Sequence, residues 1–325
     1  LIIEKIQGKD SPLVGIILNG LAENYLQQAR YAEAESLYKR SLSINEKNFG
    51  LEHPNVADSL GSIAKLYITQ AKYALAEPLL KRAISIKEKH FGPEHIETAF
   101  VINSLAILYN KQGKYAEAEA LYKRSLAIRE KQFGEENPKL VPTLNNLGQL
   151  YGTLAKYSEG ESFYKRALAI NEKHYGLEHP DNTPMLRNLS NLYAFLGRYV
   201  EAETNIKRAL NIREKHFGQE HPLIASTLDI LSSIYVVQGK YAKAETLKNR
   251  SISIYEKNFG QEHPDYASAL NSLGEFYYGQ EKYIEAMVEE TNMTKAHLKK
   301  IINRKVNAYF TAEEAVELGI ADTIF

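Results

Sequence analysis

The feature that most constrains the fold of this 325-residue chain is an internal repeat with a period of 42 residues. Glycine, tyrosine and arginine each recur at this spacing along most of the chain. The three series are Gly50, Gly92, Gly134, Gly176, Gly218 and Gly260; Tyr31, Tyr73, Tyr115, Tyr157, Tyr199, Tyr241 and Tyr283; and Arg40, Arg82, Arg124, Arg166, Arg208 and Arg250. A fixed period of ~20–50 residues is typical of solenoids, propellers and other repeat arrays.

Each repeat has the pattern of two amphipathic helices. In "LVPTLNNLGQLYGTLAKY", apolar residues fall at helical spacing on one face, and "KYSEGESFYKRALAINEKHYG" carries a second apolar stripe. The glycine that follows is expected to end the second helix in the left-handed conformation, and the proline four residues later suits the first turn of the next helix. One repeat is too small to bury its own stripe, so stacked repeats form a continuous core. The predicted fold class is all-α.

These residues resemble the tetratricopeptide repeat. The family pattern is matched by Leu144, Leu147, Gly148, Tyr151, Gly160, Tyr164 and Ala167. Its usual period is ~34 residues, and the longer period found here, with "FG.EHP" at the junction, is similar to the kinesin light chain subgroup and its bacterial relatives. The resemblance covers residues 1–286 and implies a right-handed α-solenoid of about seven helix pairs. Residues 1–8 then form the end of a repeat whose beginning we expect upstream.

Composition argues against several other classes of function. The 40 Lys and Arg residues balance 40 Asp and Glu and are spread evenly, so we expect neither nucleic acid nor a membrane as a partner. The sequence has no cysteine and no apolar run of roughly 18–20 residues, and we predict a cytoplasmic location. It contains no P-loop, dinucleotide-binding turn, HExxH or GxSxG motif, so we expect no enzymatic activity, no cofactor and no metal site.

The histidines of the junction are the strongest argument for a metal site. They form pairs five residues apart: His90 and His95, His174 and His179, His216 and His221. However, a glycine separates the two members of each pair, and other junctions have Asn48, Gln132, Asn137 or Asn258 instead. Side chains interchangeable between His and Asn favour helix capping or loop hydrogen bonds over metal binding.

The second helices also carry glutamate and lysine four residues apart in the favoured order, each pair worth only ~0.2–0.5 kcal/mol. The pairs are Glu35–Lys39, Glu77–Lys81, Glu119–Lys123, Glu161–Lys165 and Glu203–Lys207. These carboxylates are an alternative set of acid–base groups, but we interpret them as belonging to a solvated helix face.

The first helices carry polar residues on the face opposite their apolar stripe, and the resemblance implies that this face lines a concave groove that holds extended peptides. Because asparagine offers both a donor and an acceptor, a series of asparagines suits the binding of a peptide backbone. Lysine and arginine on the same face would attract an acidic flank. The predicted groove residues are Asn19, Lys65, Asn103, Lys111, Asn145, Gln149, Arg187, Asn191 and Asn271. The alternative is that asparagine is merely tolerated there.

Later repeats place apolar side chains near the same face: Phe195, Ile230, Val236 and Val237. This pattern predicts either an apolar pocket for an anchor residue of the partner or a surface for self-association.

Residues 287–325 do not follow the repeat pattern. We expect this non-repeat segment to form a small cap of mixed secondary structure at the C-terminal end of the solenoid. Its sequence "AEEAVELGIADTIF" resembles the C-terminal end of a Clp-type serine peptidase. In that alignment Asn307 replaces the aspartate of the family's triad, and repeats stand where the peptidase core should be, so we expect the segment to be inert.

We predict a protein–protein interaction scaffold that binds an extended partner segment in its groove. The alternative is the recruitment or sensor arm of a protease system, associated with a Clp-type peptidase through residues 287–325.

Overall fold

The computed structural model describes residues 8–278, and within them the chain forms 13 α-helices in consecutive antiparallel pairs. They are α1 (Pro12–Gln27), α2 (Tyr31–Phe49), α3 (Pro54–Thr69), α4 (Tyr73–Phe91), α5 (Ile96–Lys111), α6 (Tyr115–Phe133), α7 (Val141–Thr153), α8 (Tyr157–Tyr175), α9 (Thr183–Phe195), α10 (Tyr199–Phe217), α11 (Pro222–Val237), α12 (Tyr241–Phe259) and α13 (Pro264–Tyr278). Two 3₁₀ turns, Pro138–Leu140 and Pro180–Asn182, precede α7 and α9. The predicted all-α repeat architecture is confirmed.

The chain divides into two compact units between His174 and Tyr175, and each is treated separately below. The first unit contains α1 to α7 and nearly all of α8, and the second contains α9 to α13. Residues 1–7 of the predicted remainder of a preceding repeat (residues 1–8) and the predicted Clp-like segment lie outside the described residues. None of the helices between residues 8 and 278 is long and apolar enough to cross a lipid bilayer.

The core forms where the apolar stripes of the two helices of a repeat meet. On α7 the predicted positions Leu144, Leu147 and Tyr151 are buried, and on α8 so are Tyr164 and Ala167. Burying a large apolar side chain contributes about 1.5–3 kcal/mol, so the stripes account for much of the stability of a repeat. Within a unit, the second helices also pack against the first helix of the next repeat, which makes the core of that unit continuous.

The glycine at each junction ends the second helix, as expected, but in a different backbone conformation. Gly50 has φ 83° and ψ 166°, and its N–H donates to the carbonyl of Glu46. Gly218 is similar, with φ 80° and ψ 167°. The prediction of a left-handed residue was therefore right in the sign of φ and wrong in ψ. Any residue other than glycine would be strained at these φ and ψ values, because this region of backbone conformation is almost exclusively populated by glycine.

The second histidine of each junction caps the following helix. His221 Nδ1 accepts a hydrogen bond from the backbone N–H of Leu223 over 3.1 Å, and Asn137 Oδ1 accepts from Lys139 over 3.0 Å in the junction that lacks this histidine. The ring of His221 also stacks on Phe217, with centroids 4.9 Å apart. The same cap occurs at His53, His95, His179 and His263. The capping interpretation of these residues is thus confirmed.

The glutamates of the second helices join neighbouring repeats. The predicted pairs with lysine four residues later are present, for example Glu119 Oε1 to Lys123 Nζ at 2.6 Å. The same carboxylate accepts a hydrogen bond from the hydroxyl of Tyr151 in the next repeat over 2.7 Å. Equivalent contacts form at Tyr67–Glu35, Tyr109–Glu77, Tyr235–Glu203 and Tyr277–Glu245. The interpretation as a solvated face is therefore wrong for the glutamates, which are partly buried between repeats.

Candidate functional site

The nine predicted groove residues all lie on first helices, on one face that we name the first-helix face. It consists of the positions equivalent to Phe100, Asn103, Ile107 and Lys111 in every repeat. Lys65, Lys111, Gln149 and Asn191 are exposed there; Asn19, Asn145, Arg187 and Asn271 are half-buried; Asn103 is buried. The structure thus places the predicted side chains on a common face in each unit, with different access to solvent.

The asparagines of this face differ in how their amides are used. Asn103 accepts a hydrogen bond from Thr143 Oγ1 over 3.2 Å, and Asn271 Nδ2 donates to Glu275 Oε1 over 2.9 Å. The Oδ1 atom of Asn19 is buried and has no hydrogen-bond partner among the described residues. A buried acceptor without a partner costs free energy, so it would be stabilised by a donor from a bound molecule. The asparagines of this face therefore do not all have the same hydrogen-bonding role.

The predicted cations also differ in their environment. Lys65 Nζ lies 2.6 Å from Glu23 Oε1, and this hydrogen bond lowers the pKa of the carboxyl group. The pair largely neutralises the charge of Lys65. Lys111 and Arg187 form no ion pair or hydrogen bond with any other described residue. The positive charge available on the first-helix face therefore comes from Lys111 in the first unit and from Arg187 in the second.

Four buried cations on second helices were missed by the sequence interpretation: Lys87, Arg129, Arg213 and Lys248. The first three occupy the same position in different repeats, where Asn45, Asn171 and Tyr255 stand in the others. A cation that recurs at one position on the apolar side of an amphipathic helix is the sequence signal that could have identified Lys87, Arg129 and Arg213. Burying a charged group without a partner costs free energy, so the residues around each cation must stabilise its charge.

Lys87 and Arg129, in the first unit, are accommodated in different ways. Lys87 Nζ lies 2.8 Å from Asp58 Oδ1 and 3.0 Å from Glu97 Oε2, so two carboxylates neutralise it. Arg129 has no carboxylate partner among residues 8–278. Its Nη1 donates to the carbonyl of Lys139 over 3.0 Å, and its guanidinium lies 4.3 Å from the centroid of the Phe100 ring. A cation over an aromatic face is stabilised by the ring quadrupole.

Arg213, in the second unit, has neither a carboxylate nor an aromatic ring as a partner within the described part of the chain. Its Nη1 donates to the carbonyl of Leu223 over 2.8 Å and to Thr227 Oγ1 over 2.6 Å. Burial, and to a lesser extent the charge of Arg187, lower the pKa of Arg213 to about 10. The side chain is still charged at neutral pH, because that pKa lies well above 7.

One pocket in the described part of the second unit is polar. Asp229, Asp265, Ser268 and Ser272 line it together with Tyr255 and Ala269. Burial raises the pKa of Asp229. Of the four residues expected to form an apolar pocket or a self-association surface, Phe195 is 71% exposed and Val237 is 60% exposed, whereas Ile230 and Val236 are half-buried. Both alternatives stay predictions.

Groups of three or more His, Asp or Glu side chains that converge as metal ligands do not occur among the described residues. The arrangement instead offers hydrogen-bonding and charged side chains along exposed helix faces. These groups suit the recognition of another molecule.

The sequence profile of the tetratricopeptide repeat family matches residues 2–47, 13–89, 91–173, 181–257 and 231–287. These matches together cover most of the chain. No curated protein matches the sequence at a significant level. The Clp-like resemblance of residues 287–325 receives no support from these comparisons and stays a prediction.

The solved structures that are similar to this one include the following three. BtubC (BKLC) from P. vanneervenii has a TM-score of 0.60 and 24% identity, over 73% of this chain and 93% of that one. A putative kinesin light chain of Podosopora anserina with nearly identical TPR-like repeats has a TM-score of 0.56 and 24% identity, over 65% and 100%. The Rap protein complexed with Competence and Sporulation Factor has a TM-score of 0.58 and 16% identity, over 84% and 76%. At these identities the likeness concerns the fold alone.

Proposed function

Because the chain belongs to the tetratricopeptide repeat family, whose fold is typical of protein–protein interaction scaffolds, we propose that it binds an extended segment of a partner protein. The binding surface is the first-helix face. The observation that carries this proposal is the recurrence of accessible polar side chains on that face at the repeat period, as at Gln149 and Asn191.

The chemistry of the face suits a polypeptide backbone better than a small apolar ligand. An extended backbone presents one N–H and one carbonyl per residue, and amide side chains match both groups. In the first unit, Asn145 and Gln149 stand one turn apart on α7, and Lys111 adds an exposed charge on the neighbouring first helix, α5. The Rap protein, which has a similar fold, was crystallised in a complex with Competence and Sporulation Factor. We propose that the present chain likewise binds a partner through this fold.

A peptide-display selection against the full chain tests the proposal, with enriched peptides measured by fluorescence anisotropy. Asn145→Ala is expected to weaken their binding about three- to tenfold, the effect of losing one hydrogen bond. Circular dichroism should show unchanged helix content.

Asn211→Ala is the matched control, because Asn211 is an exposed asparagine on a second helix, α10. It should leave the affinity unchanged. Failure to enrich any peptide, or equal affinities for the Asn145→Ala and Asn211→Ala variants, would contradict the proposed backbone contact.

The recruitment of a Clp-type peptidase, the second function expected from the sequence, has no supporting observation in residues 8–278. Co-purification of a peptidase subunit that is lost when residues 287–325 are deleted remains the measurement that decides it.

A further inference from the structure

The polar pocket of the second unit has a volume of about 190 Å³ and is lined mainly by acidic and hydroxyl side chains. A cavity of ~150 Å³ holds a benzene molecule, so this pocket has room for the end of a long side chain or for a small ligand. Its polar side chains, contributed by α11, α12 and α13, are Asp229, Tyr255, Asp265, Ser268 and Ser272. None of the side chains that line it carries a positive charge.

The two carboxylates of this pocket have no lysine or arginine as an ion-pair partner among residues 8–278. His263 Nδ1 lies 3.8 Å from Asp265 Oδ2, but it accepts a hydrogen bond from the backbone N–H of Asp265, so this nitrogen has no proton to share with the carboxylate. The buried Lys248 does not line the pocket, and its Nζ donates to Ser272 Oγ over 2.6 Å. Two carboxylates and one lysine leave a net negative charge, which attracts a cation.

Other repeats show what occupies the corresponding place. In four of them, the side chain at the second-helix position of Tyr255 donates from a nitrogen atom to the residue ten positions later, at the start of the next repeat. The acceptor is the carboxylate of Glu97 in one repeat and a backbone carbonyl in the others. The pairs are Asn45–Asn55, Lys87–Glu97, Arg129–Lys139 and Arg213–Leu223. A nitrogen donor of the chain itself therefore fills this place in these repeats.

Tyr255 supplies no such donor in its own repeat. Its side chain lines the pocket and is 8% exposed, and its hydroxyl has no hydrogen-bond partner among the described residues. The residue ten positions later is Asp265, which corresponds to Glu97 in the repeat of Lys87. The acidic partner is thus present in the second unit without the cation. A buried hydroxyl without a partner costs free energy, and a bound molecule that supplies a partner removes this cost.

The repeat of Lys87 shows which chemical group suits this place. Nζ of Lys87 lies 3.0 Å from Glu97 Oε2 and 2.8 Å from Asp58 Oδ1, so the ammonium group is held between two carboxylates. The pocket of the second unit also has two carboxylates, because Asp229 stands where four other repeats have asparagine. An ammonium group has three N–H donors, which match carboxylate and hydroxyl acceptors.

We propose that this pocket binds a primary ammonium group, which belongs either to a free amine or to a lysine side chain of a partner. Asp229 and Asp265 accept its hydrogen bonds, and the hydroxyl of Tyr255 gains a partner. Binding of a free amine is independent of the proposed function. Binding of a lysine of the partner segment rests on the proposed function and adds to it the chemical class of one partner residue.

The test compares 1,5-diaminopentane with 1,5-pentanediol, an uncharged molecule of the same length, by saturation-transfer NMR on the full chain at about 150 mM salt. The diamine is expected to bind at least about tenfold more tightly, since hydrogen bonds to charged groups are the strong ones. Two fluorescein-labelled decapeptides, in which alanine alternates with lysine or with Nε-acetyl-lysine, then identify the source of the ammonium group by fluorescence anisotropy. A lysine peptide that binds more tightly than both the diamine and the acetylated peptide identifies a lysine side chain; otherwise the ligand is a free amine.

Asp229→Asn is the central variant, because asparagine at the equivalent position of four other repeats is compatible with the fold. We expect it to weaken binding of the diamine or the lysine peptide about tenfold. Tyr255→Lys introduces the ammonium group found at Lys87 and should abolish binding, because the pocket is then filled from within. Glu262→Gln, the matched control, removes the same charge from an exposed residue just before α13 and should change the affinity less than about twofold. Circular dichroism checks that all three variants retain their helix content.

Equal affinities for the diamine and the diol, together with equal affinities for the two peptides, would overturn the inference. An equal loss of affinity in Asp229→Asn and Glu262→Gln, or unchanged binding in a folded Tyr255→Lys chain, would also overturn it. The proposed function survives any of these results if display-selected peptides bind and Asn145→Ala weakens them. Conversely, binding of the diamine that Asp229→Asn weakens upholds the ammonium site even when no peptide is enriched.

Discussion

At the scale of single residues, the junction between repeats is specified by side chains that contact only residues close to them in the sequence. The histidine before the helix accepts a hydrogen bond from the second residue of that helix, and its ring stacks on the preceding aromatic residue, as at His221 and Phe217. The first N–H groups of a helix lack partners within it, so such an acceptor stabilises the start of the helix. The residue acts through one acceptor atom, which explains why Asn137 replaces histidine in one junction.

His221→Ala is expected to destabilise the second unit by about 1 kcal/mol, the usual cost of losing an N-cap acceptor. His221→Asn retains an acceptor at the same place and should cost less. Urea unfolding followed by circular dichroism measures both. An equal loss for the two variants would show that the stacked ring, and not the cap, is the stabilising group.

At the scale of helices, the approach of α7 to α8 depends on a glycine in an otherwise ordinary helix. A Cβ atom at Gly148 would lie 2.7 Å from two ring atoms of Tyr164. Other repeats have alanine at the same position, for example Ala64 and Ala106, so the glycine is not required by the backbone. In this repeat the ring of Tyr164 occupies the space that a Cβ atom would fill, and a Cβ atom at Gly160 would lie 3.0 Å from the carbonyl oxygen of Gly148. The repeat of Ala106 has the equivalent Tyr122 but Ala118 in place of Gly160, so the glycine at 148 accompanies a closer approach of the two helices.

Gly148→Ala should therefore destabilise the first unit by about 1–3 kcal/mol, the cost of overpacking a filled core. Gly152→Ala is the matched control on the same helix, since nothing lies within 4 Å of its Cβ position. That substitution should stabilise the chain by about 0.5 kcal/mol, because alanine favours the helix. Thermal unfolding measures both changes, and a destabilising Gly152→Ala would contradict this account of the packing.

At the scale of the whole molecule, stability is the sum of the repeats and of the contacts between neighbours. The glutamates that join neighbouring repeats have low pKa values, because they accept hydrogen bonds from lysines. The hydrogen bond from Lys81, with further ones from Lys114 and Tyr109, lowers the pKa of Glu77 to about 2. Burial raises the pKa of Glu203, but hydrogen bonds from its lysine partners outweigh this effect and bring the pKa to about 2.

These pKa values predict how stability depends on pH. Glutamate in an unfolded chain has a pKa of about 4.3, so between pH ~4.3 and ~2 the unfolded state binds protons that the folded state does not. The stabilisation is complete above this window and is lost as the pH falls through it. Urea midpoints measured from pH 7 to pH 2 should decrease steeply below pH ~4.3. The decrease should be smaller in the Glu77→Gln/Glu203→Gln variant, and an unchanged decrease would contradict the assignment.

Much of the fold was determined by the sequence alone, because the information is local and periodic. The apolar spacing of "LVPTLNNLGQLY" specifies a helix and its buried face, and the exchange of His221 for Asn137 between junctions identifies a cap. Repetition allows each inference to be checked in the other repeats. The backbone conformation after the helix was harder to predict, because the sequence indicates a positive φ at Gly50 but not the value of ψ.

Only the tertiary structure decided the charge of the candidate site. Lys65 is paired with Glu23 of the preceding repeat, 42 residues away, whereas neither Arg187 nor the buried Arg213 has a carboxylate partner within the described chain. The sequence shows which residues are charged. It does not show which of them are neutralised, because the free energy of a charge depends on its burial and on neighbours contributed by adjacent repeats.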